Sequence, residues 1–149
     1  DGTRVYPEQL RSLLLDIPGQ VVVILDCCQS GTFIGAGEDA FDGLSQGRFL
    51  VLTSSAAGQD SYRLRFTGGE DESGVATVLA RSLAEGAGWD LIRDKKTQLK
   101  ADANGDGQVT FAEIYQYTAR RVEYYLSGSE VRQSVQASDP ARQLVLFAN

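Results

Sequence analysis

The 149-residue sequence has no histidine and no methionine, and only two cysteines, three prolines and one tryptophan. Without histidine, any chemistry that needs an imidazole must borrow it from another segment. The zero methionine count leads to the expectation of a processed piece of a longer product. The two cysteines are neighbours, Cys27 and Cys28. Adjacent cysteines bridge only with strain, so a disulfide framework is excluded. No apolar run exceeds that of Val21 to Leu25, far short of the roughly 20 residues that cross a bilayer. Asp1 to Leu10 is polar and does not read as a secretory leader. Basic residues are scarce as well: 14 Lys plus Arg against 20 Asp plus Glu give a net charge of −6. With no basic run, nucleic acid is a poor partner.

What is present suits one folded domain. Hydrophobic residues at 42% and charged residues at 23% argue against disorder. Pro7 to Leu15 reads as a short helix, with proline in its first turn and Leu10, Leu13 and Leu14 on one face. Val21 to Leu25 is a continuous β-branched run, which predicts a strand buried on both faces. Thr32 to Gly47 is glycine-rich and reads as a loop, and Arg48 to Thr53 as a second buried strand. Phe66 to Ser73 is acidic and glycine-rich and reads as a mobile loop. Helical spacing predicts a helix over Gly74 to Glu85 and a longer one from Phe111 to about Leu126. An irregular stretch is expected between them, and a last strand over Gln143 to Phe147. Strand and helix alternate, which predicts an α/β fold with a mainly parallel sheet flanked by helices on both faces.

Chemistry concentrates after the first strand. Ligands bind beyond the carboxyl ends of strands in open parallel sheets, and Asp26, Cys28 and the segment from Ser54 to Asp60 would gather there. A thiol becomes a strong nucleophile as thiolate. The small residues Ser30 and Gly31 would let a carbonyl approach Cys28 and leave the Cys28 amide free to hold an oxyanion. Rival chemistries fail on the letters. A cysteine phosphatase needs arginine six places after its nucleophile, where this chain has Ile34 or Phe33. An aspartate-nucleophile phosphatase built on Asp26 needs a second aspartate at Cys28. No Gly-x-Ser-x-Gly elbow exists.

The run Val21-Val22-Val23-Ile24-Leu25-Asp26-Cys27-Cys28-Gln29-Ser30-Gly31 resembles the hydrophobic strand and Asp-x-Cys-x-Ser-Gly signature of caspase-like cysteine peptidases. These comprise caspases, metacaspases, clostripain, gingipain and legumain. Leu52 to Tyr62 is similar to the legumain segment that ends in Ser-Ser-Tyr. Gly74-Val75-Ala76-Thr77, Leu79 and Leu83 to Gly86 resemble the helix that follows in bacterial members. The resemblance runs from about Val5 to Phe147. It implies that residues 1–149 are the C-terminal part of one peptidase domain, whose His-bearing strand lies upstream of this chain. It also implies a Cys–His dyad with Cys28 as nucleophile. Asp1 would then be a processing end, since several relatives mature by such a cut. Many relatives have histidine directly after the nucleophile, where this chain has Gln29; that histidine is not the dyad member.

In that family the residue two before the nucleophile lines the primary specificity pocket, which is Asp26 here. The legumain-like alignment adds Asp60 to the same wall, with Ser54 at the head of the segment. Two carboxylates would select Arg or Lys and repel an acidic side chain. The expected partner is therefore a peptide or protein with a basic residue. A secreted or cell-surface bacterial setting is preferred.

A second motif stands apart. Asp102 to Glu113 fits the twelve-position calcium loop, with oxygen ligands at Asp102, Asn104, Asp106, the Gln108 carbonyl and Glu113, and Gly107 at the sharp turn. The cofactor expected is one structural Ca2+. The tyrosines at 115, 117, 124 and 125 read as helix packing, and Lys95, Lys96, Arg120 and Arg121 as solvated charge. The alternatives are an inactive caspase-like binding module, in which Cys28 is a relic, and a calcium-dependent structural domain.

Overall fold

A computed structural model of the chain describes residues 5–35, 44, 48–68 and 72–149. The fold is mixed α/β. Helix α1 (Pro7–Leu14) leads through a Pro18-Gly19 turn, with Gly19 at φ 82°, into strand β1 (Val21–Leu25). A 3-10 turn over Ser30–Ile34 follows. Strands β2 (Phe49–Thr53), β3 (Arg63–Thr67) and β4 (Ser73–Thr77) come next, then helix α2 (Val78–Gly86). Short strands β5 (Trp89–Asp90), β6 (Lys95–Lys96) and β7 (Gln108–Thr110) precede helix α3 (Phe111–Leu126). Strands β8 (Gln136–Ala137) and β9 (Val145–Ala148) close the chain.

One sheet runs β1-β2-β8, and the pairs β3-β4, β5-β6 and β7-β9 are separate ribbons. β1 and β2 are parallel, Val21 opposite Phe49 through Leu25 opposite Thr53. Every other strand pairing among the described residues is antiparallel. The parallel sheet expected from the sequence is thus represented by one strand pair.

β2 is buried along its whole length, as its apolar run predicts. β1 is not: Ile24 is 46% exposed, and β2 is the only strand beside β1 among the described residues. Two faces of the sheet pack differently. Leu50 and Leu52 join Val78, Leu79, Phe111, Val122 and Leu126 on the α2–α3 side. Val21, Phe49, Val51 and Leu44 form a smaller cluster with Leu10 and Leu14 of α1. Leu13, expected on the packed face of α1, is 74% exposed.

One loop foreseen in the sequence is ordered differently. The stretch from Phe66 to Ser73 closes a hairpin, with Arg63 opposite Thr77 and Thr67 opposite Ser73; residues 69–71 within it lie outside the described residues. Gly74 to Thr77 is therefore strand, and the helix begins at Val78. The helical spacing of Val75 with Val78 misled because Val75 is exposed on the ribbon. Most of the Thr32 to Gly47 loop, and Glu70 and Asp71, also lie outside the described residues.

Candidate active site

The turn after β1 carries the nucleophile candidate. Cys28 is exposed and unbridged. The next residue, Gln29, adopts φ 58°, ψ 21°, a left-handed conformation. A non-glycine residue there carries about 1 kcal/mol or more of strain. Contacts on both sides hold it. The Gln29 N–H donates to the Gln59 carbonyl at 2.7 Å, and Thr32 Oγ1 donates to the Gln29 carbonyl at 2.8 Å.

Behind the turn lies a buried knot of hydroxyls. Ser30, Thr53, Ser54 and Ser55 are fully buried. Ser54 Oγ and Ser55 Oγ both donate to the Cys27 carbonyl, at 3.0 and 3.3 Å. The Ser55 N–H donates to Ser30 Oγ at 3.2 Å. Gly31 packs so closely that an added Cβ would lie 2.6 Å from Ala57 N. These contacts clamp the turn onto the segment after β2. The Cys27 carbonyl faces inward, while the Cys28 N–H has no partner among the described residues. Ser54, expected near substrate, is sealed beneath the nucleophile turn and braces it.

Ser61 ties Cys28 to the expected specificity carboxylate. Its N–H donates to Cys28 Sγ at 3.4 Å, and its hydroxyl donates to Asp26 Oδ1 at 3.1 Å. Asp26 Oδ2 accepts from Thr77 Oγ1. Asp26 is exposed and has no cationic partner among the described residues. The structure thus brings Cys28 and Asp26 together. Asp60, the residue before Ser61, is exposed and unbonded among the described residues. Partial desolvation, then the neighbouring Cys28 and Asp26, push the Cys27 thiol above its ordinary value.

Sequence reasoning missed four polar residues here: Ser61, Thr77, Gln59 and Gln133. Gln133, 6% exposed, donates from Nε2 to the Ser54 carbonyl at 3.0 Å and accepts from the Tyr62 N–H at 2.9 Å. Gln59 Oε1 accepts from the Ser134 N–H at 2.8 Å. The segment from Ser54 to Tyr62 is therefore held at both ends. Ser61 and Thr77 lay inside stretches that carry the resemblance, but nothing in their spacing marks them as partners of Asp26. Gln133 has no local signal at all.

Asp102 to Glu113 forms a second polar site. Asp102 Oδ1 accepts from the Gly105 and Asp106 N–H groups at 2.7 and 3.2 Å, and Oδ2 from Gly107 at 2.9 Å. Asn104 Oδ1 accepts from the Asp106 N–H and Asp106 Oδ1 from the Gln108 N–H. Glu113 reaches back to the Ala103 N–H at 3.2 Å. Gly105 and Gly107 sit at φ 76° and 81°, as the turn requires. Among the described residues no three His, Cys, Asp or Glu side chains are grouped closely enough to hold a metal. Two donors of the expected set, the Asn104 amide and the Gln108 carbonyl, are of other types. The oxygen-only donor types and the glycine turn are those a hard divalent cation takes, but the three carboxylates among them, Asp102, Asp106 and Glu113, are not drawn together around one point.

No family model, no curated protein and no solved structure matches the chain. No helix among the described residues is long and apolar enough to cross a membrane.

Proposed function

We propose that this chain carries the nucleophile and specificity side of a caspase-like cysteine endopeptidase cleaving after Arg or Lys. The observation that carries the reading is the pairing of an exposed sulfur with an exposed carboxylate, free of any cation among the described residues, at the carboxyl end of a parallel strand pair, both fastened to Ser61.

The chemistry follows from that pairing. The Cys28 thiolate attacks the peptide carbonyl, and the oxyanion that develops is held by the Cys28 N–H. Collapse breaks the C–N bond, and the leaving amine takes a proton from an imidazole supplied by an upstream segment or chain of the same protein. Water then hydrolyses the thioester and frees the thiol. Asp26, with Asp60 beside the same segment, receives the basic side chain. The outer edge of β1, with its half-exposed apolar residues, is where a further parallel strand would add, extending the pair toward the larger sheet of that family.

The proposal includes one Ca2+ held by Asp102, Asn104, Asp106, the Gln108 carbonyl and Glu113. Bound there, the ion would offset two of the three carboxylate charges and cross-link the loop to α3. The remainder of the reading does not depend on it.

The test is turnover of peptides ending in Arg, Lys, Asn or Asp, with the upstream segment of the protein supplied. Cleavage after Arg and Lys, lost on Cys28→Ala, is expected. Equal cleavage after all four would remove the acidic pocket. No cleavage of any would favour the inactive binding module.

A further inference from the structure

We infer that Ser61 and Thr77 are specificity-positioning residues, which hold the Asp26 carboxylate in one orientation so that it accepts a guanidinium in preference to an ammonium. The inference rests on the reading of Asp26 as the receiver of a basic side chain.

Three separate parts of the chain meet at this carboxylate: the turn after β1, the segment before β3 and the end of β4. Each oxygen takes one neutral donor, Oδ1 from the Ser61 hydroxyl and Oδ2 from the Thr77 hydroxyl. The Thr77 donor has no freedom to turn away. Thr77 caps α2, and its Oγ1 accepts the Ala80 N–H at 3.1 Å. With a lone pair engaged by that N–H, the hydroxyl proton is directed to Asp26. Ser61 is held as well, because its own N–H is on Cys28 Sγ. The carboxylate is therefore fixed at both oxygens with no cationic partner among the described residues, and it remains exposed. A carboxylate oriented by two neutral donors and left open to solvent keeps its charge available to a cationic ligand.

Orientation matters more to one ligand than to another. A guanidinium binds through two parallel N–H bonds and needs both oxygens in its plane, whereas an ammonium is a point charge. Freeing the carboxylate to rotate must cost arginine more than lysine.

The experiment measures alkylation of Cys28 by acyl-arginyl, acyl-lysyl and acyl-norleucyl chloromethyl ketones. A thioether forms and chloride leaves, so no imidazole is required. Intrinsic thiol reactivity is read in parallel with iodoacetamide, and the modified residue is assigned by mass spectrometry. The wild type should label faster with arginine than with lysine, and with either than with norleucine. Ser61→Ala and Thr77→Val should each reduce the arginine-to-norleucine ratio, by roughly fivefold, and narrow the arginine-to-lysine ratio, with the iodoacetamide rate unchanged. Thr77→Ser keeps the hydroxyl and should restore both ratios. Ser61→Ala leaves the cap of α2 intact, so it answers the question even if Thr77→Val folds poorly. A wild type without preference for basic ends overturns the reading of Asp26 and this inference together. A wild-type preference that persists undiminished in Ser61→Ala and Thr77→Val overturns this inference alone, as does an equal loss for all three ketones.

Discussion

Single residues decide the thiol reactivity of the turn after β1. Cys27 and Cys28 are neighbours, yet their surroundings differ. Desolvation and two adjacent acidic groups push the Cys27 thiol up, so little of it is thiolate near neutrality. In a Cys28→Ala variant, alkylation of Cys27 should therefore be slow at neutral pH, with its rate–pH curve displaced above that of free cysteine. A curve at or below that of free cysteine would contradict this. Gly31 offers a second test. An added Cβ would meet the backbone of Ala56 and Ala57 at 2.6 to 2.9 Å, where no flexible side chain can yield. Gly31→Ala should cost about 1–3 kcal/mol in denaturant unfolding and slow Cys28 labelling by displacing the clamp. At this scale the sequence was informative where residues are contiguous. Asp26, Cys28 and Gly31 stand in one motif, whereas Ser61 and Thr77 reach Asp26 only because a ribbon folds back over the strand end. Ser54 is expected at the substrate, whereas it lies buried under the turn, since its burial depends on the hydroxyl knot formed with Ser30.

Elements show why some boundaries were readable and others not. α3 runs from Phe111 to Leu126 as its spacing predicts, because Phe111, Ile114, Thr118 and Val122 form a buried stripe and Thr110 with Glu113 completes a capping box. Thr110→Ala removes the acceptor for the Glu113 N–H and should lower stability by about 1 kcal/mol. The β3–β4 ribbon escaped notice for the opposite reason. Arg63, Arg65 and Thr67 are exposed, as are Ser73 and Val75, so its pattern is dominated by charge and glycine. The loop from Asp102 to Glu113 shares Thr110 and Glu113 with the cap, and its far end is pinned where Gln108 pairs with Ala148 across β7–β9. Calcium should raise the unfolding midpoint, by stabilising the fold about 2.7 kcal/mol at a hundredfold excess over Kd, and Asp102→Ala should abolish the rise. A midpoint indifferent to calcium and chelator would remove the ion from the proposal.

Over the whole molecule, a chain of charges runs from α3 through α2 to the two short ribbons beside them. Arg121 of α3 pairs with Glu85 of α2 at 2.9 Å, and Arg81 pairs with Glu85 and with Asp90 at 3.1 and 2.9 Å. Arg93 then links Asp90 to Glu72 at the foot of β4. Glu85 is 4% exposed and also accepts the Tyr125 hydroxyl. The Arg81 hydrogen bond, with the Ile92 and Arg93 N–H groups, holds Asp90 well below its ordinary value against the desolvation that opposes it. A carboxylate lowered in the folded state contributes stability above its unfolded value, about 3.9. That contribution drains away as pH falls through the folded-state value. Asp90→Asn should cost about 3 kcal/mol at neutral pH, and the gap to wild type should shrink as pH falls below about 4. Burial, then the Glu85 carboxylate, pushes Tyr117 up to about 12, so ultraviolet titration should find it among the last phenols to ionise. None of this network was legible beforehand, because its members are scattered from Glu72 to Tyr125 and meet only after α2 and α3 pack. The outer rim of β1 bears on handling. It offers a row of backbone donors and acceptors beside a half-bare isoleucine, with neither a proline nor a lysine as a gatekeeper. At high concentration these 149 residues alone should template rim-to-rim on one another, and Ile24→Lys should keep them dispersed.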